Sequence, residues 1–125
     1  MHSRKILIID DDNDDCELLK ESLSNAGITE CIIVQSAEEA LNKLDGLINL
    51  PDLIILDLFM PKIDGVELLS ILKKNRRYKD IEVIIYSSSA LTVHKKEVLA
   101  IGAKEFIQKP IGISEFDEAI YKILK

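Results

Sequence analysis

Three aspartates, a serine and a lysine of this 125-residue sequence fall where they can act on one another. Asp10 and Asp11 follow the apolar run Ile6-Leu7-Ile8-Ile9, and Asp57 follows Leu53-Ile54-Ile55-Leu56. Ser87 follows Val83-Ile84-Ile85-Tyr86, and Lys109 comes just after Phe106-Ile107. If those runs are neighbouring parallel strands, the five polar side chains line one face. Three carboxylates brought within a few ångströms repel one another until a hard divalent cation sits among them. Oxygen-only donors favour Mg²⁺, which keeps some waters and also binds phosphate. With the cation in place a phosphoryl group can approach, Lys109 adds positive charge for its oxygens, and Ser87 offers a hydroxyl donor. Asp57 is then placed to attack phosphorus as a carboxylate nucleophile.

The elements that must position these residues are legible as strand and helix in alternation. Strands are predicted at about 5–9, 31–34, 53–56, 82–86 and 105–108. Most are apolar at consecutive positions, as strands covered on both faces should be. The first helix is predicted from Asn13 to Asn25, with Leu19, Leu23 and Ala26 at helical spacing and Gly27 placed to end it. The second opens on Ser36-Ala-Glu-Glu39, a capping box in which Ser36 and Glu39 each accept an orphan N–H, and Ala37, Ala40, Leu41 and Leu44 share one face. The third follows Pro61 and Gly65, turns Val66, Leu69 and Leu72 inward, and ends in the basic group Lys73, Lys74, Arg76 and Arg77. That group reads as a solvated helix terminus favoured by the helix dipole, with a docking patch as the alternative. The fourth covers about 91–101 and ends at Gly102. The last starts at Ser114, with Phe116, Ala119, Ile120 and Ile123 facing in.

Five such units joined by right-handed crossovers predict an α/β, flavodoxin-like doubly wound (βα)5 sandwich whose parallel sheet has the order 2-1-3-4-5. Its switch point lies between the first and third strands, where Asp10, Asp11 and Asp57 meet. The length suits one domain over residues 1–125, with no internal repeat and no low-complexity tract. A start at Met1 just before the first strand fits a natural N-terminus.

Composition narrows the partners. The formal net charge of −6 argues against direct nucleic-acid binding, which rests on Lys and Arg displacing counterions. No apolar run approaches the roughly 20 residues that span a bilayer, and no signal peptide precedes the first strand, so a cytoplasmic location is expected. Cys16 and Cys31 lack metal-ligand spacing and read as small hydrophobes, a reactive thiol at Cys16 being the alternative. His2 and His94 are isolated and read as solvated. Asp12, Asn13, Asp14 and Asp15 read as caps or turn residues.

Four segments carry a family resemblance: Lys5-Ile-Leu-Ile-Ile-Asp-Asp-Asp12, Pro51-Asp-Leu-Ile-Ile-Leu-Asp-Leu-Phe-Met-Pro-Lys-Ile-Asp-Gly65, Val83-Ile-Ile-Tyr-Ser87 and Gly102-Ala-Lys-Glu-Phe-Ile-Gln-Lys-Pro110. Over nearly its whole length the chain resembles the receiver domains of two-component response regulators. The resemblance implies that Asp57 accepts a phosphoryl group from a histidine kinase or a histidine phosphotransfer protein. It implies that Asp11 binds Mg²⁺ directly, Asp10 directly or through a water, and that the backbone carbonyl of Phe59 completes the protein ligands with Asp57. Ser87 matches the hydroxyl residue that follows the phosphoryl group, Lys109 the lysine that contacts it, and Phe106 the aromatic residue that swings inward on activation. Phe59 and Ser89 fall at positions that tune dephosphorylation, and Ser88 stands where the family has a smaller residue.

Such a protein is a signalling switch, monomeric or weakly dimeric, that catalyses only its own phosphorylation and dephosphorylation. Two alternatives share the fold. A phosphorylation-independent interaction module need not keep the pocket. A flavodoxin-like FMN binder needs a Ser/Thr/Gly-rich phosphate loop where this chain carries Asp10 to Asp15. A phosphohydrolase of the haloacid dehalogenase type would want an acid at position 59, which is Phe59.

Overall fold

The computed structural model describes residues 4–28, 30–58, 60, 64–88, 92–109, 118 and 121–124. Five strands alternate with helices: β1 (Lys5–Ile9), α1 (Asn13–Asn25), β2 (Glu30–Val34), α2 (Ala37–Gly46), β3 (Leu53–Leu56), α3 (Gly65–Lys74), β4 (Glu82–Ser87), α4 (Thr92–Ile101) and β5 (Glu105–Gln108). The sheet is parallel throughout, in the order β2-β1-β3-β4-β5, as the sequence predicts. Of the last predicted helix, residues 118 and 121–124 are described and helical, with Ile123 buried. Ser114, Phe116, Ala119 and Ile120 lie outside the described residues, as do Met1, His2, Pro61 and the side chain of His94.

Continuous apolar runs become strands because successive side chains point to opposite faces and both faces are covered. Leu7, Ile9, Ile54, Leu56, Val83 and Ile85 pack on one face against Ala37, Ala40 and Leu44 of α2, Leu68, Leu69 and Leu72 of α3, and Val98 of α4. Ile6, Ile8, Leu53, Ile55, Ile84, Tyr86 and Ile107 pack on the other against Cys16, Leu19 and Leu23 of α1 and against Ile123. At about 1.5–3 kcal/mol for each large aliphatic side chain taken fully out of water, these two layers dominate stability.

Helix ends are set locally. Gly27, at φ +98°, lets the chain reverse after α1, so that Ile28 N–H donates to Leu23 O at 2.9 Å and Gly27 N–H to Ser24 O at 3.0 Å. This closing turn buries Ile28 beside Leu23 and leaves Ala26 exposed, which corrects the inward position expected for Ala26. The reversal carries the apolar face beyond the helix itself. Gly102, at φ +133°, ends α4 in the same manner. At α2 the Ser36 hydroxyl accepts from Glu39 N–H, while the Glu39 carboxylate reaches Gln35 N–H, one residue beyond the expected box.

The basic end of α3 is exposed at Lys74, Arg76 and Arg77, as a solvated terminus should be, but two of its cations are also tied to backbone carbonyls. Lys73 Nζ donates to Lys79 O at 3.1 Å and Ile81 O at 2.8 Å. The Arg77 guanidinium donates to the carbonyls of Leu44 and Leu47, tying the turn before β4 to the end of α2.

Candidate functional site

Pairing continues one residue past β1 and β3, and those residues carry the chemistry. Asp10 N–H donates to Val34 O at 3.1 Å and Asp57 N–H to Ile9 O at 2.9 Å, so both aspartates are held as extensions of the sheet. Ser87 is the last residue of β4, not the first beyond it, and pairs in register with Gln108. Lys109 N–H donates to Ser87 O at 2.8 Å, which places the lysine beside the end of β4. Asp11 stands exposed at the mouth, whereas Asp10, Asp57 and Ser87 are buried.

One carboxylate oxygen from each of Asp10, Asp11 and Asp57 lies within 4.8 Å of the other two. An oxygen-only donor set this tight fits a hard divalent cation and offers nothing to a soft one. Lys109 Nζ donates to Asp10 Oδ2 at 2.8 Å and Asp15 Oδ2 at 2.8 Å, and lies 3.6 Å from Asp57 Oδ2. Burial alone would lower the Lys109 pKa; hydrogen bonds to Asp10 and Asp15 and the charge of Asp57 outweigh it and hold the ammonium above the ordinary lysine value. Three carboxylates thus face one ammonium, with Asp11 beside two of them, an excess of negative charge that a cation would balance.

Packing of α3 against the end of β3 requires Gly65. A Cβ there would come within 2.4 Å of Asp57 O and 2.5 Å of Leu58 Cα, while Gly65 N–H donates to Leu58 O at 2.8 Å. Asp64 caps α3 by accepting from Glu67 N–H. The backbone of Gly65 thus lies directly against the residue after the nucleophile candidate and bonds its carbonyl.

Asp10, Asp11, Asp57 and Lys109 come together here, and Ser87 ends the adjoining strand with its carbonyl bound to Lys109 N–H. Phe106 lies on β5, half-buried and packed against the α2–α4 side of the core. Phe59 and Ser89 lie outside the described residues. Cys16 is buried, its Sγ 3.4 Å from Asp10 O. Burial and the Asp10 charge push its thiol up to about 12, against a reactive thiolate.

Two neighbours escaped the sequence reading. Asp12 caps α1 as expected, but Asp15, read as a cap or turn residue, instead binds Lys109. Tyr86, buried at the penultimate position of β4, puts its ring centroid 5.9 Å from Lys109 Nζ. Burial drives its phenol up to about 12. An aromatic residue one place before Ser87 was the available signal for Tyr86. For Asp15 it was an acid three residues after a helix cap.

Residues 6–121 match the model of the response regulator receiver domain. The chain belongs to that family. This receiver domain is 33% identical over 121 residues to the transcriptional regulatory protein CpxR of Escherichia coli, covering 97% of this chain and 49% of CpxR. It is 29% identical to the alkaline phosphatase synthesis transcriptional regulatory protein PhoP of Bacillus subtilis, covering 98% of this chain and 49% of PhoP. The receiver thus spans about half the length of these curated relatives. Among solved structures it resembles the phosphorylated cyanobacterial phytochrome response regulator RcpA, with a TM-score of 0.89 and 28% identity over 98% of this chain and 91% of that one. The Mn²⁺-bound response regulator Rcp1 gives a TM-score of 0.86 and 26% identity over 96% of this chain and 91% of that one. Among the described residues no helix is long and apolar enough to cross a membrane.

Proposed function

We infer that this receiver accepts a phosphoryl group on Asp57 from a phosphohistidine and changes its surface as a result. The observation that carries the reading is the meeting, at four strand ends, of Asp10, Asp57, Ser87 and Lys109, with Lys109 Nζ 3.6 Å from Asp57 Oδ2. An Asp57 carboxylate oxygen attacks phosphorus in line with the P–N bond. The new O–P bond forms as P–N breaks, and the imidazole nitrogen leaves with the bonding pair. Lys109 pairs with a phosphoryl oxygen and the Ser87 hydroxyl donates to another, so that incoming charge meets donors already in place.

Asp10, Asp11 and Asp57 would hold Mg²⁺, with the Phe59 carbonyl as a further protein donor. Bound there, Mg²⁺ supplies neutralisation of charge on the phosphoryl oxygens. The Mn²⁺-bound state of Rcp1 and the phosphorylated state of RcpA support this reading of the pocket.

Phosphorylation brings close to two negative charges to the strand ends at the middle of the sheet. Ser87 and its loop move toward them, and half-buried Phe106 on the neighbouring strand turns further inward, altering the surface near α4 and β5. Phe59 and Ser89 tune how long the phosphoryl group survives, since neither side chain carries an acid or amide to align a water. The donor is a histidine kinase or phosphotransfer protein in the cytoplasm, and the only chemistry is the gain and loss of this one group, by a monomer or weak dimer.

Acetyl phosphate with Mg²⁺ should add one acid-stable, base-labile phosphoryl group at Asp57, and Asp57→Asn should block it. Phosphate on Ser87, or equal labelling of the variant, would refute the assignment.

A further inference from the structure

Asp15 occupies the third position of α1, three residues after the Asp12 cap. In a capping box the side chain at this position turns back to the backbone N–H of the cap residue. Here that N–H is already taken, because Asp12 N donates to Asp10 Oδ1 at 3.0 Å. The Asp15 carboxylate crosses instead to the far end of the sheet, where Oδ2 accepts from Lys109 Nζ at 2.8 Å across 94 residues of chain.

A lysine ammonium has three N–H donors. Two are committed at 2.8 Å to Asp10 and Asp15, while Asp57 Oδ2 stands off at 3.6 Å. Lys109 is therefore hydrogen-bonded on the α1 side of the pocket, while its contact with the residue that takes the phosphoryl group is the longer ion pair at 3.6 Å. The two holds differ in strength. The Asp15 side chain is 37% exposed and that of Asp10 only 5%. Solvent screens the more exposed pair, so it is the first to yield to a competing anion.

We propose that Asp15 is a positioning residue that retains Lys109 on the α1 side of the pocket in the unphosphorylated protein and releases it when Asp57 is phosphorylated. The inference rests on the phosphoacceptor reading of Asp57. Asp15 then opposes phosphorylation without touching the phosphoryl group: a new anion of close to two charges must draw the lysine from a carboxylate that already holds it.

The test compares Asp15→Asn, which keeps size and removes charge, with Asp14→Asn, which removes the same charge from the exposed neighbouring position. At fixed Mg²⁺, the acetyl phosphate concentration giving half-maximal phosphorylation should fall by about five-fold in Asp15→Asn with the maximal rate unchanged. It should move by less than about two-fold in Asp14→Asn and in Asp15→Glu, which can still reach Lys109. In metal-free, unphosphorylated protein, the Lys109 ¹⁵Nζ resonance should shift in Asp15→Asn and stay in place in Asp14→Asn. Equal effects of the two asparagine variants would reduce the matter to bulk charge and overturn the proposal, as would a Lys109 resonance indifferent to Asp15→Asn. Failure of the wild type to take up phosphoryl overturns the phosphoacceptor reading itself, a result distinct from an unmoved resonance.

Discussion

Lys73 and Lys109 are both partly buried lysines, and they are held by different kinds of partner. Lys73 Nζ donates to two backbone carbonyls, of Lys79 and Ile81, and its methylenes lie over Gly102, where a Cβ would come within 3.3 Å of them. Its pKa is lowered because burial outweighs the nearby charges of Asp80 and Glu82. Lys109 Nζ is surrounded by carboxylates, and its pKa is raised in spite of burial. Backbone carbonyls cannot leave without unfolding the turn, so the partners of Lys73 stay fixed in place. Carboxylates sit on rotatable side chains and carry full charges, so the Lys109 contacts can be exchanged for others. The same residue type serves as a rivet at one end of the fold and as a movable counter-ion at the other.

The largest expected effect comes from Lys109. Lys109→Met should slow phosphorylation by acetyl phosphate at saturating Mg²⁺ by about 100-fold, the scale set by loss of one preorganised charge at the reacting group. A rate within about three-fold of wild type would make Lys109 another structural rivet and erase the contrast.

Lys73→Met should leave that rate unchanged and lower the unfolding free energy by about 1–3 kcal/mol, because the carbonyls of Lys79 and Ile81 lose a charged donor. Urea denaturation checks it. Unchanged stability would mean that solvent replaces the ammonium without cost and that the tie is decorative.

The smallest effect is in alkaline pH, and its sign is the sharper test. Between the lowered folded pKa of Lys73 and its ordinary value of 10.5 the unfolded chain binds the extra proton, so this group's contribution to stability rises with pH. Tyr86 acts in reverse: the unfolded phenol ionises near 10.0 and the folded one at about 12, so its contribution is complete below the first value and lost as pH climbs toward the second. Urea midpoints measured from about pH 9 to 12 should fall more steeply for Lys73→Met and less steeply for Tyr86→Phe than for wild type. Parallel curves would show that neither group is buried as described.

Much of this protein could be read from the order of its residues. Strand runs such as Ile6–Ile9 and Leu53–Leu56 are recognisable because both faces of a central parallel strand must be apolar. Alternation with helices of ordinary length then leaves few topologies, and the switch point places Asp10, Asp11 and Asp57 together. Gly27 and Gly102 announce helix ends because the backbone there takes a conformation that glycine tolerates best.

Other features depend on where finished elements come to rest. That Asp15 reaches Lys109 follows from the position of the first turn of α1 over the end of β5, 94 residues away, and from Asp10 having already taken the N–H that a capping box would leave for it. Ile28 replaces Ala26 in the core because a reversing turn ends the helical period. Lys73 and Arg77 look solvated until the α3–β4 turn and the end of α2 bring carbonyls to them. Apolar periodicity is a local property and survives in sequence; the partner of a long charged side chain is chosen by distance in three dimensions, which only the packed fold supplies.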